Sequence, residues 1–161
     1  MKYTVFMDYY DEISDSYNEL HGKEQLQKLK IIKKYINVEK NEKLLDIGCG
    51  TGLSSNFGCF VVGIDLSLRL LKKNNKTKVL GTGEDLPFKD HSFDYVISVS
   101  SLHHVTDIKK VVNEMKRVGK KRFAFSLFKR SHNFTELKIE ICRNFRVTEE
   151  IDEKNDLILI I

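Results

Sequence analysis

Apolar and polar positions along the chain follow two different periods. Between residues 23 and 37, Leu26, Leu29, Ile32 and Ile36 recur at three- and four-residue steps with lysines between them. That is the spacing of one face of a helix. A shorter helix is predicted over about residues 9–20, with His21-Gly22 as the break between the two. The period then changes. Residues 43–47, 60–64, 78–80, 93–98 and 122–127 are short apolar runs, and continuous runs of this kind suit strands of a parallel sheet covered on both faces. Helix-length gaps separate them. The clearest is 107–118, with Asp107 as its cap, Ile108, Val111, Val112, Met115 and Val118 as one stripe, and Gly119 as its stop. Ser67 can cap a shorter helix carrying Leu68, Leu70 and Leu71, and 134–143 reads as another helix. Two closing strands are predicted near 145–150 and 156–161, joined by a turn at 152–155. The alternation predicts an α/β fold: a doubly wound, seven-stranded mixed sheet, Rossmann-like, with helices on both faces.

Composition narrows the class. The chain has 161 residues, 41% hydrophobic and 31% charged, which excludes a disordered or collagen-like chain. We expect a single domain over 1–161, with an N-terminal helical cap at about 9–37. Lys plus Arg is 27 and Asp plus Glu is 23, a net charge of +4; this permits an anionic partner without requiring one. No stretch approaches the ~20 apolar residues of a membrane span, and the opening MKYTVFMDYYDE lacks the apolar core of a signal peptide. Cys49, Cys59 and Cys142 have neither paired nor metal-type spacing. They read as reduced thiols of a cytoplasmic protein.

The most informative segment is LLDIGCGTG, from Leu44 to Gly52. An apolar strand runs into glycines at 48, 50 and 52. A loop without side chains lets backbone approach a ligand closely. A tight strand-to-helix turn would need the same residues. The dinucleotide fingerprint G-x-G-x-x-G is not matched, because the third glycine arrives one residue early and Leu53 takes its place. Asp46 precedes the first glycine by two positions, and Asp65 ends the second apolar run in VVGIDLS. A carboxylate there can accept two hydrogen bonds from a ribose diol; alone, it could equally cap a helix.

LLDIGCGTG, VVGIDLS and EDLPFKDHSFDYVISVSSLHHV, with the helix from Asp107, together resemble class I S-adenosylmethionine-dependent methyltransferases. The branch they resemble contains quinone-biosynthesis enzymes and tRNA wobble-uridine methyltransferase relatives. The resemblance covers about residues 9–127. It implies S-adenosyl-L-methionine as cofactor. Asp46 and the backbone of Gly48, Cys49 and Gly50 would face its methionine half, Asp65 its ribose, and Leu66 its adenine. Gly83-Glu84-Asp85 would meet the adenine edge, Ser98 would lie beside the methionine portion, and Tyr17 would close over the cofactor. The chain departs from the family in three ways. Thr82 stands where an aspartate is common. Only 12 residues separate Gly52 from Asp65, about one helical turn short. The fifth run passes almost directly into the next helix, with little to cover a substrate.

Methyl transfer needs alignment first, and a base only where the nucleophile arrives protonated. His103 and His104 follow the fourth run and are the candidates to orient the acceptor or act as base; loop packing would also explain them. They have no third ligand spaced for a metal, and none is expected. Cys142 reads as core packing. Lys129 and Arg130 follow the fifth run and should rim the active face, where they could bind an anionic substrate, with Phe128 and Phe134 beside them. Lys116, Arg117, Lys120, Lys121 and Arg122 read as solvated charge at the opposite edge, and Lys28, Lys30, Lys33 and Lys34 as a solvated helix side. The leading expectation is a methyltransferase acting on RNA or protein, with a partner subunit completing the site. A small-molecule acceptor, a non-catalytic cofactor-binding subunit and a nicotinamide-dependent oxidoreductase are the alternatives.

Overall fold

In the computed structural model, which describes residues 9, 10 and 12–161, strand β1 (Lys43–Ile47) is the centre of the parallel part of the sheet. It pairs in parallel with β2 (Phe60–Asp65) on one side and β4 (Phe93–Val99) on the other. Outside them lie β3 (Thr77–Leu80) and β5 (Gly119–Phe128), also parallel. β7 (Asp156–Ile160) runs antiparallel on β5, and β6 (Glu149–Glu153) antiparallel on β7. The order is β3-β2-β1-β4-β5-β7-β6, the seven-stranded mixed sheet the periodicity predicts.

Among the described residues the helices that cover it are α1 (Tyr17–Tyr35), α2 (Leu68–Lys73), α3 (Ile108–Val118) and α4 (Phe134–Asn144). The strands alternate side chains between two cores, as a pleated sheet must. Leu45, Ile47, Val62, Val96 and Phe125 pack with Val111, Val112 and Met115 of α3 and Leu137 and Ile141 of α4. Leu44, Val61, Tyr95, Ile97 and Ala124 pack with Leu29 and Ile32 of α1 and with Ile36. No α-helix joins β1 to β2. That connection holds only a 3-10 turn, Leu53–Ser55, and buries Phe57. The second core is therefore closed by α1.

The N-terminal helix corrects the sequence reading in three places. It runs unbroken through His21-Gly22, and the chain turns earlier, at residues 13–16. Packing of the helix outweighs the ~1 kcal/mol that an internal glycine costs. Leu26 is 52% exposed and Lys28 only 2% exposed. At about 100° per residue, Lys28 lies nearer than Leu26 to the centre of the Leu29–Ile32–Ile36 face. Lys28 is thus no part of a solvated side.

Other elements follow local chemistry. Ser67 Oγ accepts from the Leu70 amide at 3.2 Å, and Asp107 Oδ1 from the Lys110 amide at 3.0 Å, so both predicted caps form. Arg117 is not merely solvated. Its guanidinium donates to the carbonyls of Phe88 (2.7 Å) and Leu86 (3.0 Å) and pairs with Asp90 and Glu114, which pins residues 86–90 against α3. β6 begins later than predicted because Phe145 is drawn into the core against Phe123, ring centroids 4.6 Å apart. The hairpin turn shrinks to Lys154-Asn155. Cys142 is exposed, not core, since α4 turns Leu137 and Ile141 inward and leaves its neighbour outside.

Gly119 ends α3 and starts β5 in extended geometry (φ −89°, ψ 152°). A left-handed stop does not explain it; space does. A Cβ there would lie 2.3 Å from Phe123 Cε1. We expect Gly119→Ala to lower unfolding free energy by about 1–3 kcal/mol, the usual cost of overpacking, as measured by urea denaturation.

Candidate functional site

The C-terminal ends of β1, β2 and β4, with the loop after β3, surround a cleft of about 830 Å³, part of it open to solvent. Its floor is the loop after β1. Gly48 (φ +77°) and Gly50 (φ +50°) are both left-handed, a region that disfavours any side chain. The Gly48 and Cys49 amides donate to the Ile64 carbonyl at 2.8 and 3.2 Å, which ties the loop to β2. At Gly48 a Cβ would also fall 2.2 Å from Ser101 Cβ, so the loops after β1 and β4 meet backbone to side chain.

Asp65, the last residue of β2, faces this loop. Its Oδ2 accepts from the Gly50 amide and its Oδ1 from the Ser67 amide, each at 2.8 Å, and the Leu66 amide donates as well. Burial raises its pKa against the pull of these bonds. A carboxylate offers about four acceptor sites, so a ligand hydroxyl can be taken in addition. Asp46 lies deeper. The Ser54 hydroxyl donates to its Oδ2, while Oδ1 is buried with no partner. Burial, with the Asp65 charge adding, pushes Asp46 up to about 7. Asp46 borders a smaller hollow behind the loop, shared with Tyr17, Gln25, Thr51 and Ser54.

The far wall comes from the segment after β4. His104 lines the cleft, and its Nε2 is 2.8 Å from the Tyr10 hydroxyl, with the rings edge to face. His103 sits one layer back, its ring centroid 3.8 Å from that of His104 and 5.6 Å from that of Phe128. Burial holds His103 down at about 4 and His104 at about 3, and pushes Tyr10 up to about 12. All three are neutral at pH 7.

The structure thus brings Tyr17, Gly48, Gly50, Asp65, Leu66, Gly83, Glu84 and His104 to the cleft, with Asp46 behind them. Not every predicted position presents its side chain there. The Cys49 thiol packs on Gly63 and accepts from Asn74 Nδ2 at 3.6 Å. Glu84 turns its carboxylate away, to the amides of Thr106 (2.7 Å) and Asp107 (3.0 Å), and Asp85 is exposed. Ser98 is fully buried, donating to the Ile47 carbonyl at 2.8 Å and bonded to Ser101 at 2.6 Å. Lys129 pairs with Asp152 at 2.9 Å, and Arg130 is exposed. The sequence reading missed Tyr10. Its only signal was an aromatic pair, Tyr9-Tyr10, ahead of α1.

Residues 45–125 match the family model described as a methyltransferase domain. The chain is 35% identical over 119 residues to the uncharacterized protein MJ1252 of Methanocaldococcus jannaschii, covering 70% of this chain and 47% of that protein. It is 33% identical over 132 residues to the demethylmenaquinone methyltransferase of Anoxybacillus flavithermus, covering 69% of this chain and 56% of that one. The chain therefore spans about half the length of these curated relatives. Among solved structures, magnesium protoporphyrin IX methyltransferase from Synechocystis shares the fold with a TM-score of 0.80 at 16% identity, over 99% of this chain and 96% of that one. A chain from the complex that contains the Haloferax volcanii Trm112 methyltransferase activator gives 0.79 at 17% identity, over 94% and 96%. No helix among the described residues is long and apolar enough to cross a membrane.

The two buried imidazoles set an acid limit. Their folded pKa values lie below the ordinary 6.5, so below that pH the unfolded chain binds more protons. The stability they carry is whole above about pH 6.5 and is lost as pH falls toward their folded values. We expect the thermal midpoint to drop between about pH 7 and pH 5, and to drop less in His104→Phe, as measured by circular dichroism melts.

Proposed function

This chain belongs to the methyltransferase-domain family, and from that premise we propose that it transfers a methyl group from S-adenosylmethionine to a large substrate, RNA or protein, with a partner subunit completing the site. The observation that carries the reading is a bare left-handed backbone at Gly48 and Gly50 set between the buried carboxyl of Asp46 and the half-buried one of Asp65. Asp46 keeps a buried oxygen without a donor, a cost of about 1–3 kcal/mol that the ammonium of an amino-acid half would remove. Asp65 has acceptor capacity for a ribose hydroxyl. Leu66 and the Gly83 backbone line the end suited to a flat base, and Tyr17 lies over the glycine loop, 3.9 Å from where a Gly50 Cβ would stand. These residues fit the cofactor that the family uses.

When bound, S-adenosylmethionine supplies a methyl group on a sulfonium, whose charge already activates the sulfur as leaving group. The protein's own task is alignment, which can be worth about 7–11 kcal/mol. His104, kept neutral and weakly basic by burial, is suited to orienting an acceptor with Tyr10 and poorly suited to holding its proton. The Ser98, Glu84 and Asp85 side chains do not enter this scheme.

The acceptor reading rests on the other side of the cleft. Between β5 and α4 the chain offers only residues 129–133, too few to roof a small molecule. An activator-bound neighbour in the same fold supports a partner subunit, and the resemblance to the wobble-uridine branch supports RNA. The demethylmenaquinone methyltransferase relatives favour a second reading, a small apolar acceptor.

Calorimetry should show binding of S-adenosylmethionine and none of NAD; the reverse would overturn the proposal. Asp65→Ala should weaken the cofactor by at least about tenfold. Because three backbone amides lose their acceptor, it should also lower the melting temperature. Incubation of cell extract with labelled methyl donor should put label into the RNA or protein fraction. The label should fall in Lys129→Glu/Arg130→Glu if the acceptor is RNA. Label confined to small molecules would establish the second reading instead.

A further inference from the structure

The Lys28 side chain is buried, and its ammonium has three polar neighbours. Nζ donates to Ser100 Oγ at 2.7 Å, pairs with Asp156 Oδ2 at 2.5 Å and with Glu24 Oε1 at 2.7 Å. Asp156 is 0% exposed. Its other oxygen accepts from Ser126 Oγ at 2.8 Å and Ser100 Oγ at 3.1 Å. The network joins α1, the end of β4, β5 and the first residue of β7. A buried ion pair is a poor source of net stability, since desolvation offsets the attraction, whereas one tied to several elements fixes geometry.

What it fixes is Ser100. This residue is left-handed (φ +53°) without being glycine, a conformation that costs about 1–3 kcal/mol and needs support from its surroundings. Its amide donates to the Ser126 carbonyl at 3.2 Å, and its hydroxyl is held by Lys28 and Asp156. From Ser100 the chain enters the cleft wall. Ser101 abuts Gly48 and donates to the Ile47 carbonyl at 2.9 Å, and His104 meets Tyr10. The wall stands at the β1/β4 side of the cleft, with Asp46. Asp65, Leu66 and Gly83 stand at the β2/β3 side.

We propose that Lys28 is a positioning residue for the sulfonium and amino-acid end of the cleft, acting through Ser100, which rests on the cleft being the adenosyl-cofactor site. It does not touch the ligand. Its ammonium holds the one backbone bend from which that wall is hung.

The test compares three ligands by calorimetry: S-adenosylmethionine, S-adenosylhomocysteine, and 5′-methylthioadenosine, which has the adenosine and no amino-acid chain. In Lys28→Met the first two should weaken by about tenfold while methylthioadenosine stays within about twofold. The double variant Lys28→Met/Asp156→Asn leaves no lone buried charge and keeps an acceptor for both serine hydroxyls. It should show the same split, and it carries the test should the single variant not fold. Equal weakening of all three ligands, or none, overturns the proposal, as does failure of both variants to fold, which would assign the pair to stability alone. Absence of S-adenosylmethionine binding to the unaltered protein would instead refute the reading of the cleft.

Discussion

Gly48 and Ser101 compete for one volume. The approach of these two loops decides where β1 and β4 end and how wide the cleft between them stands. Any side chain at 48 would push Ser101 aside. Ser101 is anchored by its bonds to the Ile47 carbonyl and to Ser98, so it would not yield cheaply. The same contact leaves the Gly48–Gly50 backbone uncovered, between carboxylates that burial has made reluctant to ionise. The cleft's bare floor and its width thus have one steric origin.

A second constraint acts from below. With only a 3-10 turn between β1 and β2, one face of the sheet lacks a helix of its own there, and α1 supplies the cover. That substitution explains why α1 carries both a hydrophobic stripe (Leu29, Ile32) and a buried ammonium. The stripe closes the core, and the ammonium sets the helix in register with the ends of β4 and β7. Tyr17, on the first turn of the same helix, then reaches the glycine loop.

The fold was legible because strands and helices differ in period. The five parallel strands and both caps lie where the apolar runs and short polar side chains predict. The exceptions share a physical cause: periodicity finds a face and does not say what stands opposite. Leu26 and Lys28 exchange places on α1 because the partner surface includes Asp156, some 130 positions away in the chain. The family resemblance implies Ser98 and Glu84 as ligand contacts, but their hydrogen bonds close loops distant in sequence. Tyr10 had no local signal beyond the Tyr9-Tyr10 pair, since only the folded path of the N-terminal segment places it by His104. In the candidate site, backbone and terminal carboxylates were legible and side-chain partners were not.

Because α1 both seals a core and lies over the glycine loop, any ligand bound in that crevice would be thermodynamically linked to folding. A compound gripped beneath Tyr17 favours the docked helix over the frayed one. Each increment of its affinity then also restrains the hydrophobic layer formed by Leu44, Val61 and Ile97. Saturation of the crevice would reach amide groups far from any contact with the compound, as slower exchange with solvent along the central strands.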